Sequence, residues 1–440
     1  MNGVSRIYPM TTGRDSLGRL TVAGHALGDL ARRYGTPLYV YDGETVRKQV
    51  ERLQQNLRAA YSGSVEITYA AKAYFSLGFA QKLADLGIGV DVVSLGELNI
   101  ARRAGFAAEK IHLHGNNKSR EELSAAVAMG VQAIVIDSLE ELAFLEQIAS
   151  QAGKRARVWL RITPGLTVDT HPYRQTAHAS SKFGLPLQDG QAAEGIRRAL
   201  TSKSLELRGL HMHLGSQIFE DEPYRRAISK LLELAESQGC IPVEISPGGG
   251  WGVPYTPDGE SSDPEPWIAA VTETVVDEYN RRGWPLPKLI MEPGRWIAAR
   301  AGMALYSVGT TKTTADGGCV VAVDGGMADN PRPALYHALY TACLADRPDE
   351  PAKKAVRIVG KFCETGDELI PAVKLPEVWR GDVLAMPVAG AYQLSMASNY
   401  NLAPRPAVLW LEEGSLEILQ PRETVDDSFW WTATSVTKVE

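Results

Sequence analysis

Cysteine is scarce in this chain: 440 residues hold four, Cys240, Cys319, Cys343 and Cys363, in neither CxxC nor any other metal-ligand spacing. That excludes a disulfide-built scaffold and fits reduced thiols in a cytosolic protein, any one of which is available for catalysis. Long hydrophobic runs are also missing. No stretch approaches about 18 consecutive apolar residues, and the opening "MNGVSRIYPM" lacks the apolar centre of a signal peptide, so neither membrane spanning nor secretion is expected and the chain reads as cytoplasmic. Blocks of like charge are absent too, with a net charge of -6. A nucleic-acid or membrane-surface role is therefore not expected, and small molecules are the expected partners.

What is present is alternation. Eight β-rich runs, "VEITYAAKA", "GVDVVS", "KIHLHG", "AIVID", "RVWLRITP", "LRGLHMHLGSQ", "PVEISPGGG" and "KLIMEPGR", are separated by stretches with apolar residues at three- and four-residue spacing, such as "SLEELAFLEQIASQAG". This is the rhythm of a (β/α)8 TIM-type barrel, although an open doubly wound sheet has the same periodicity. From about residue 304 the pattern becomes short strands broken by Gly and Pro, as in "CVVAVDGGM" and "GDVLAMPVAGAY", which predicts a β-sandwich or β-barrel-like second domain. The expected division is a barrel over 44–303 and a β domain over 304–440, joined by a strand from 1–43. "LADRPDEPAKKA", 344–355, reads as a surface loop.

"EITYAAKAYF" reads as a strand carrying an odd lysine, Lys72. A packed stem with its ammonium at the water is the plain explanation. The chemical one is a nucleophile, because apolar surroundings disfavour the charged form and free the amine to attack a carbonyl. The other unusual residues fall at strand ends as well: His213 near the end of the sixth run, the glycines of "SPGGGWG" after the seventh, and Glu292 to Arg295 at the end of the eighth. In a barrel these ends share the face that carries chemistry, with phosphate commonly held after strands seven and eight.

Three adjacent glycines let backbone N–H groups converge on an anion, though a flexible turn has the same composition. The fingerprints G-x-G-x-x-G and G-x-x-x-x-G-K-[ST] are absent around them, so a phosphate-bearing cofactor without a nucleotide fits better than a dinucleotide. Glu292 and Arg295 can pair with each other at the rim, or the carboxylate can face a pyridine nitrogen and keep it protonated. A lysine for the aldehyde, a phosphate cradle and a ring-nitrogen carboxylate together are what pyridoxal 5'-phosphate (PLP) requires. The rival is a metal-dependent hydrolase barrel, because "HLH" (His112, His114) and "HMH" (His211, His213) each place two imidazoles on one strand face. It explains neither the glycines nor "EPGR", and strands three and six lie far apart around a barrel. No metal is expected. His213 has another use, stacking on an aromatic cofactor.

Taken together, "YGTPLYVYD", "YAAKA", "GVDVVSLGEL", "HGNNKS", "THPYRQTAHASSKFG", "HMHLGSQI", "GGGWGVPY", "EPGR", "VDGGMADNPRPALY", "CETGD" and "AGAYQLSMASNYN" resemble the meso-diaminopimelate decarboxylases, PLP enzymes of the alanine-racemase-like fold type. The resemblance spans essentially the whole chain. It implies a barrel followed by a β domain, assembled as a head-to-tail homodimer with active sites shared between subunits. It also implies that Lys72 holds PLP, His213 stacks on the ring, Ser216 lies near the phosphate, and Gly249 and Gly250 cradle it with Pro293, Gly294 and Arg295. Glu292 would meet the ring nitrogen. Arg295, Arg332 and Tyr336 look like the substrate-binding group, Cys363 and Glu364 would come from the partner subunit, and Tyr392 would meet both cofactor and substrate.

The charges of that set suit a diamino diacid. A plain amino acid loses its only carboxylate on decarboxylation, so Arg295 and Arg332 call for a second that survives, and Glu364 for a distal ammonium. Cys363 would supply the proton that replaces carbon dioxide, giving lysine. Two residues depart from the family pattern: Thr365 stands where serine is usual, and His337 where a small residue is common. The alternatives are a related decarboxylase acting on carboxynorspermidine or a basic D-amino acid, and a non-catalytic PLP-binding homologue. The second would be expected to lack Lys72 or Cys363.

Overall fold

Ser76, Ser94, Ser119 and Ser138 each precede a helix and accept a backbone N–H from three residues on, at 3.3, 3.2, 3.2 and 3.1 Å. They cap Leu77–Asp85, Leu95–Ala104, Arg120–Met129 and Leu139–Gln151, satisfying donors that a helix start leaves open. At Ser119 the side chain of Glu122 answers back, completing a capping box. Left-handed Gly105 and Gly130 end two of these helices.

The computed structural model describes residues 6–166, 181–260 and 263–424. Most of "THPYRQTAHASSKFG", Thr170 to Ser180, lies outside the described residues. The strands between the helices are β1 (Val65–Ala70), β2 (Gly89–Val92), β3 (Ile111–Leu113), β4 (Ala133–Ile136), β5 (Ala156–Thr163), β6 (Leu205–His211), β7 (Glu244–Gly248) and β8 (Lys288–Met291). All pair in parallel with their sequence neighbours, and Leu289, Ile290 and Met291 of β8 pair with Val65, Glu66 and Ile67 of β1. That last pairing closes the barrel and excludes the open sheet. Inside it Ala133, Val135, Trp159 and Ile290 form an apolar cluster, so the interior is packed rather than a pore.

The strand read from "EITYAAKAYF" is shorter than expected. β1 stops at Ala70, and Ala71–Ala73 form a turn of 3-10 helix. Lys72 is therefore on the loop leaving the barrel, and its side chain is exposed rather than enclosed. The loop read from "LADRPDEPAKKA" is also trimmed: Leu344 pairs with Leu384, and Lys354 opens the strand Lys354–Val359.

The chain divides into two compact units: residues 46–254 with 259–298, and the described residues of 1–45, 255–258 and 299–440. In the second unit the long strand Gly302–Thr313 organises a nine-stranded sheet. It pairs with Leu38–Asp42 and Val383–Pro387 along its first half and with Cys319–Val323 along its second. Ala407–Glu412 runs parallel to Leu38–Asp42 on the other side. Leu38, Val40, Met303, Leu305, Ala385, Leu409 and their neighbours bury one core there. Among the described residues, no helix is long and apolar enough to cross a membrane.

Candidate active site

Strand periodicity of two puts Trp159 with Arg161, Glu244 with Ser246, Ile290 with Glu292, and His112 with His114 on common faces of their chains. Deeper in the barrel, Trp159 donates its indole N–H to Glu244 at 2.7 Å and stacks on His112 with ring centres 4.5 Å apart. One step further toward the strand ends lies the carboxylate of Glu292, only 6% exposed. Ser246 donates to its Oε1 at 2.8 Å, and His211 Nε2 lies 3.1 Å from its Oε2. His114 Nε2 is 3.6 Å from Oε1. Strands three and six thus do converge, one histidine from each pair. Glu292 is engaged by Ser246 and His211, so the rim pairing with Arg295 is not its arrangement.

The glycine run is bound into the same place. The Gly248 N–H donates to Ser246 Oγ at 3.2 Å, and the Glu292 N–H donates to the Gly248 carbonyl at 3.0 Å. At Gly249 an added Cβ would lie 2.1 Å from the Glu292 carbonyl oxygen. Gly250 has φ +98° and a Cβ there would meet the Gly215 oxygen at 2.3 Å, so neither position admits a side chain. Pro293 and Gly294 lead from β8 into the short helix Arg295–Ala298. The guanidinium of Arg295, itself buried, donates from Nη2 to Ser216 Oγ at 2.8 Å.

Electrostatics link the remaining residues. Burial and the charge of Glu292 push the carboxyl of Asp91 well above its ordinary range, while the charge of Lys72 opposes them. Burial holds His213 well below the usual imidazole value, with Lys72, Arg161 and His211 adding to the effect. His114 and His211 are held down by burial as well. At neutral pH these imidazoles are uncharged, so His213 can present a flat neutral face and the others can act as neutral donors or acceptors.

The second unit holds the other residues singled out from the sequence. Arg332 begins the helix Arg332–Tyr336 and is 1% exposed. Its guanidinium lies 4.4 Å from the Tyr255 ring centre and 5.6 Å from that of Tyr340, whose hydroxyl it also reaches. Tyr336 closes this helix, and His337 caps it in a left-handed conformation with φ 50°. Cys363 and Glu364 stand together on an exposed loop. The Cys363 N–H donates to Asn401 Oδ1 at 3.2 Å, and the Tyr400 hydroxyl reaches Glu364 at 3.5 Å. Tyr392 also adopts a positive φ, 60°.

Residues 44–299 match the family described as pyridoxal-dependent decarboxylase, pyridoxal binding domain. A diaminopimelate decarboxylase of Bacillus subtilis is 42% identical over 421 residues, 95% of this chain and 96% of that one. One of Mycobacterium tuberculosis is 39% identical over 437 residues, 96% of each. The chain belongs to the diaminopimelate decarboxylase family. Its fold agrees: the crystal structure of a diaminopimelate decarboxylase from M. jannaschii in co-complex with L-lysine superposes with a TM-score of 0.90 at 32% identity, covering 97% of this chain and 98% of that one.

Sequence reasoning passed over Ser246, Asp91 and Arg161, and saw His211 and His114 only as halves of metal-like pairs. Ser246 had a usable signal. It lies two residues before Gly248 and in phase with Glu244, hence on the inward face of a barrel strand. Tyr255 beside Arg332 had none, because the two meet only through tertiary structure.

Proposed function

We propose that this protein removes carbon dioxide from meso-2,6-diaminopimelate to leave L-lysine, with PLP held at the barrel mouth. The observation that carries the reading is Glu292: a buried carboxylate with no lysine or arginine within 4.0 Å among the described residues. Such a group is costly unless something cationic faces it, and a protonated ring nitrogen is the partner it suits. The glycine turn beside it, closed to any Cβ, fits a bound phosphate. Lys72, exposed at the end of β1, fits an amine that must reach an aldehyde.

When bound, PLP supplies an electron sink for the pair left behind as the carboxylate departs. In this reading Lys72 binds the cofactor covalently, neutral His213 lies against its ring, and Gly249, Gly250, Ser216 and the "EPGR" backbone hold the phosphate. Arg295 and Arg332 hold carboxylate, Tyr336 and Tyr392 border the substrate, and Glu364 takes the distal ammonium. The thiol of Cys363 holds the proton delivered to the carbon that lost its carboxylate. The exposure of Cys363 and Glu364 supports their being lent to a partner's site, in a homodimer whose cofactor domain is 44–303 and whose β domain is 304–440 with the strand from 1–43.

Carbon dioxide release measured from meso-diaminopimelate, lysine, ornithine and carboxynorspermidine tests the substrate. Turnover of the first alone is expected. A preference for lysine or ornithine would sink the diacid reading, and a preference for carboxynorspermidine would replace it by the related decarboxylase. The M. jannaschii relative bound to L-lysine supports the product side of the proposal.

A further inference from the structure

Glu292 can meet a ring nitrogen only if its carboxylate is held in one direction. We propose that His211 and Ser246 are positioning residues, two hydrogen-bonding side chains on adjacent strands that fix the Glu292 carboxylate toward the ring nitrogen. This rests on the PLP reading of the barrel mouth.

Each oxygen of the carboxylate is held from a different strand. His211, the last residue of β6, meets Oε2 at 3.1 Å, and Ser246, within β7, donates to Oε1 at 2.8 Å. The 3.6 Å to His114 Nε2 is too long for a hydrogen bond, so His114 is not a third donor. Because His211 is uncharged, it can meet a carboxylate only as the tautomer with the proton on Nε2. Its Nδ1 is then an acceptor, and among the described residues it has no partner. Trp159 lies nearly parallel to the ring, at 9° with centres 6.5 Å apart, and His114 meets it edge-on at 4.9 Å.

An arginine or lysine in place of either donor would also orient the carboxylate, but it would neutralise the charge that keeps a ring nitrogen protonated. Neutral donors avoid this. Ser246 does a second thing: the same hydroxyl accepts the Gly248 N–H at 3.2 Å. One side chain therefore sets the glycine turn and the carboxylate in register, as a ligand with a phosphate at one end and a ring nitrogen at the other requires.

The test uses holoenzyme reconstituted with PLP carrying 15N in its ring. The 15N chemical shift reports ring protonation, titration of the apoprotein gives cofactor affinity, and thermal melting checks the fold. His211→Phe and Ser246→Ala should each weaken PLP binding about tenfold or more, the usual effect of losing a hydrogen bond to a charged group, and should move the shift toward the unprotonated form. His211→Gln, which keeps an N–H at similar reach, should restore both. If Glu292→Gln leaves the wild-type shift unchanged, the reading of Glu292 itself has failed. If Glu292→Gln moves the shift while Ser246→Ala and His211→Phe keep wild-type shift and affinity, the positioning role is overturned. Should His211→Phe not fold, Ser246→Ala, which removes only a hydroxyl, decides the matter.

Discussion

The imidazoles of His114 and His211 meet edge to face, ring centres 4.9 Å apart, although one follows the third barrel strand and the other ends the sixth. The closed barrel makes this meeting possible, because residues at equal height on distant strands face one interior. It also gives the metal alternative a definite geometry: ligand atoms of His114, His211 and Glu292 lie within 4.8 Å of one another. A metal there would displace the His211–Glu292 hydrogen bond and occupy the carboxylate that the proposed function assigns to the ring nitrogen. The two readings compete for the same atoms, so one experiment separates them.

Borohydride reduction of the protein saturated with PLP should trap the cofactor on Lys72, identifiable by peptide mapping, and Lys72→Ala should trap none there. The holoprotein should also absorb at wavelengths longer than those of its tryptophans and tyrosines, which the unloaded barrel does not. An adduct on another lysine would remove Lys72 from the site. Stoichiometric zinc with no PLP-dependent chromophore would favour the histidine cluster as a metal centre instead.

Much of this was legible from the sequence because strand ends and glycines obey local rules. Lys72, His213, Gly249, Gly250 and Glu292 are each within two residues of a barrel strand end or the turn after it, and strand ends converge whenever a barrel closes. What failed to show were relations fixed by closure. The convergence of His114 with His211 depends on the angular position of strands three and six, which periodicity does not carry. The exposure of Lys72 depends on where β1 stops, and apolar "AAKA" reads equally well as strand or turn because alanine tolerates both. The engagement of Arg332 by Tyr255 joins segments far apart in the chain.

Arg332→Ala should lower kcat/KM for diaminopimelate by more than tenfold, since a charge-assisted contact to the surviving carboxylate is worth about 1.5 to 3 kcal/mol. The buried guanidinium also packs on two tyrosines, so truncation removes volume as well as charge. Arg332→Met fills much of that volume. If the methionine variant melts like wild type and keeps wild-type kcat/KM and preference for the diacid, Arg332 is a packing residue and does not read the substrate.

Asp329 ties stability to pH. Its carboxylate accepts from the Tyr39 and Tyr306 hydroxyls at 2.9 and 2.6 Å and from the Gly326 N–H at 2.9 Å, yet burial dominates and raises its pKa to about 6. A raised carboxyl binds its proton more tightly folded than unfolded. Its contribution is therefore fully present below the unfolded value near 4 and is lost as pH rises through about 6. Between pH 5 and pH 7 this one group should cost about 1 kcal/mol of unfolding free energy. Denaturant titrations of wild type and Asp329→Asn across that range isolate it, because other titrating groups are common to both. A difference between them that does not change with pH would show that Asp329 titrates elsewhere.

Two inactive variants mixed together reveal which chain completes the site. Lys72 belongs to the barrel unit, whereas Cys363 and Glu364 stand exposed on a loop of the β unit. If that loop serves a partner's barrel, Lys72→Ala and Cys363→Ala chains are each inactive alone. Mixed and exchanged, they form heterodimers in which one site carries both substitutions and the other carries neither. Random pairing puts about half of the dimers in this class, each with one intact site of two, so roughly a quarter of wild-type activity should return at equal total protein if the sites act independently. Exchange is verified by native mass spectrometry of differently tagged chains. With exchange verified, activity that stays at the level of the single variants means that Lys72 and Cys363 serve one site from one chain. The shared-site homodimer would then be lost, while the decarboxylation assignment would stand on its own assay.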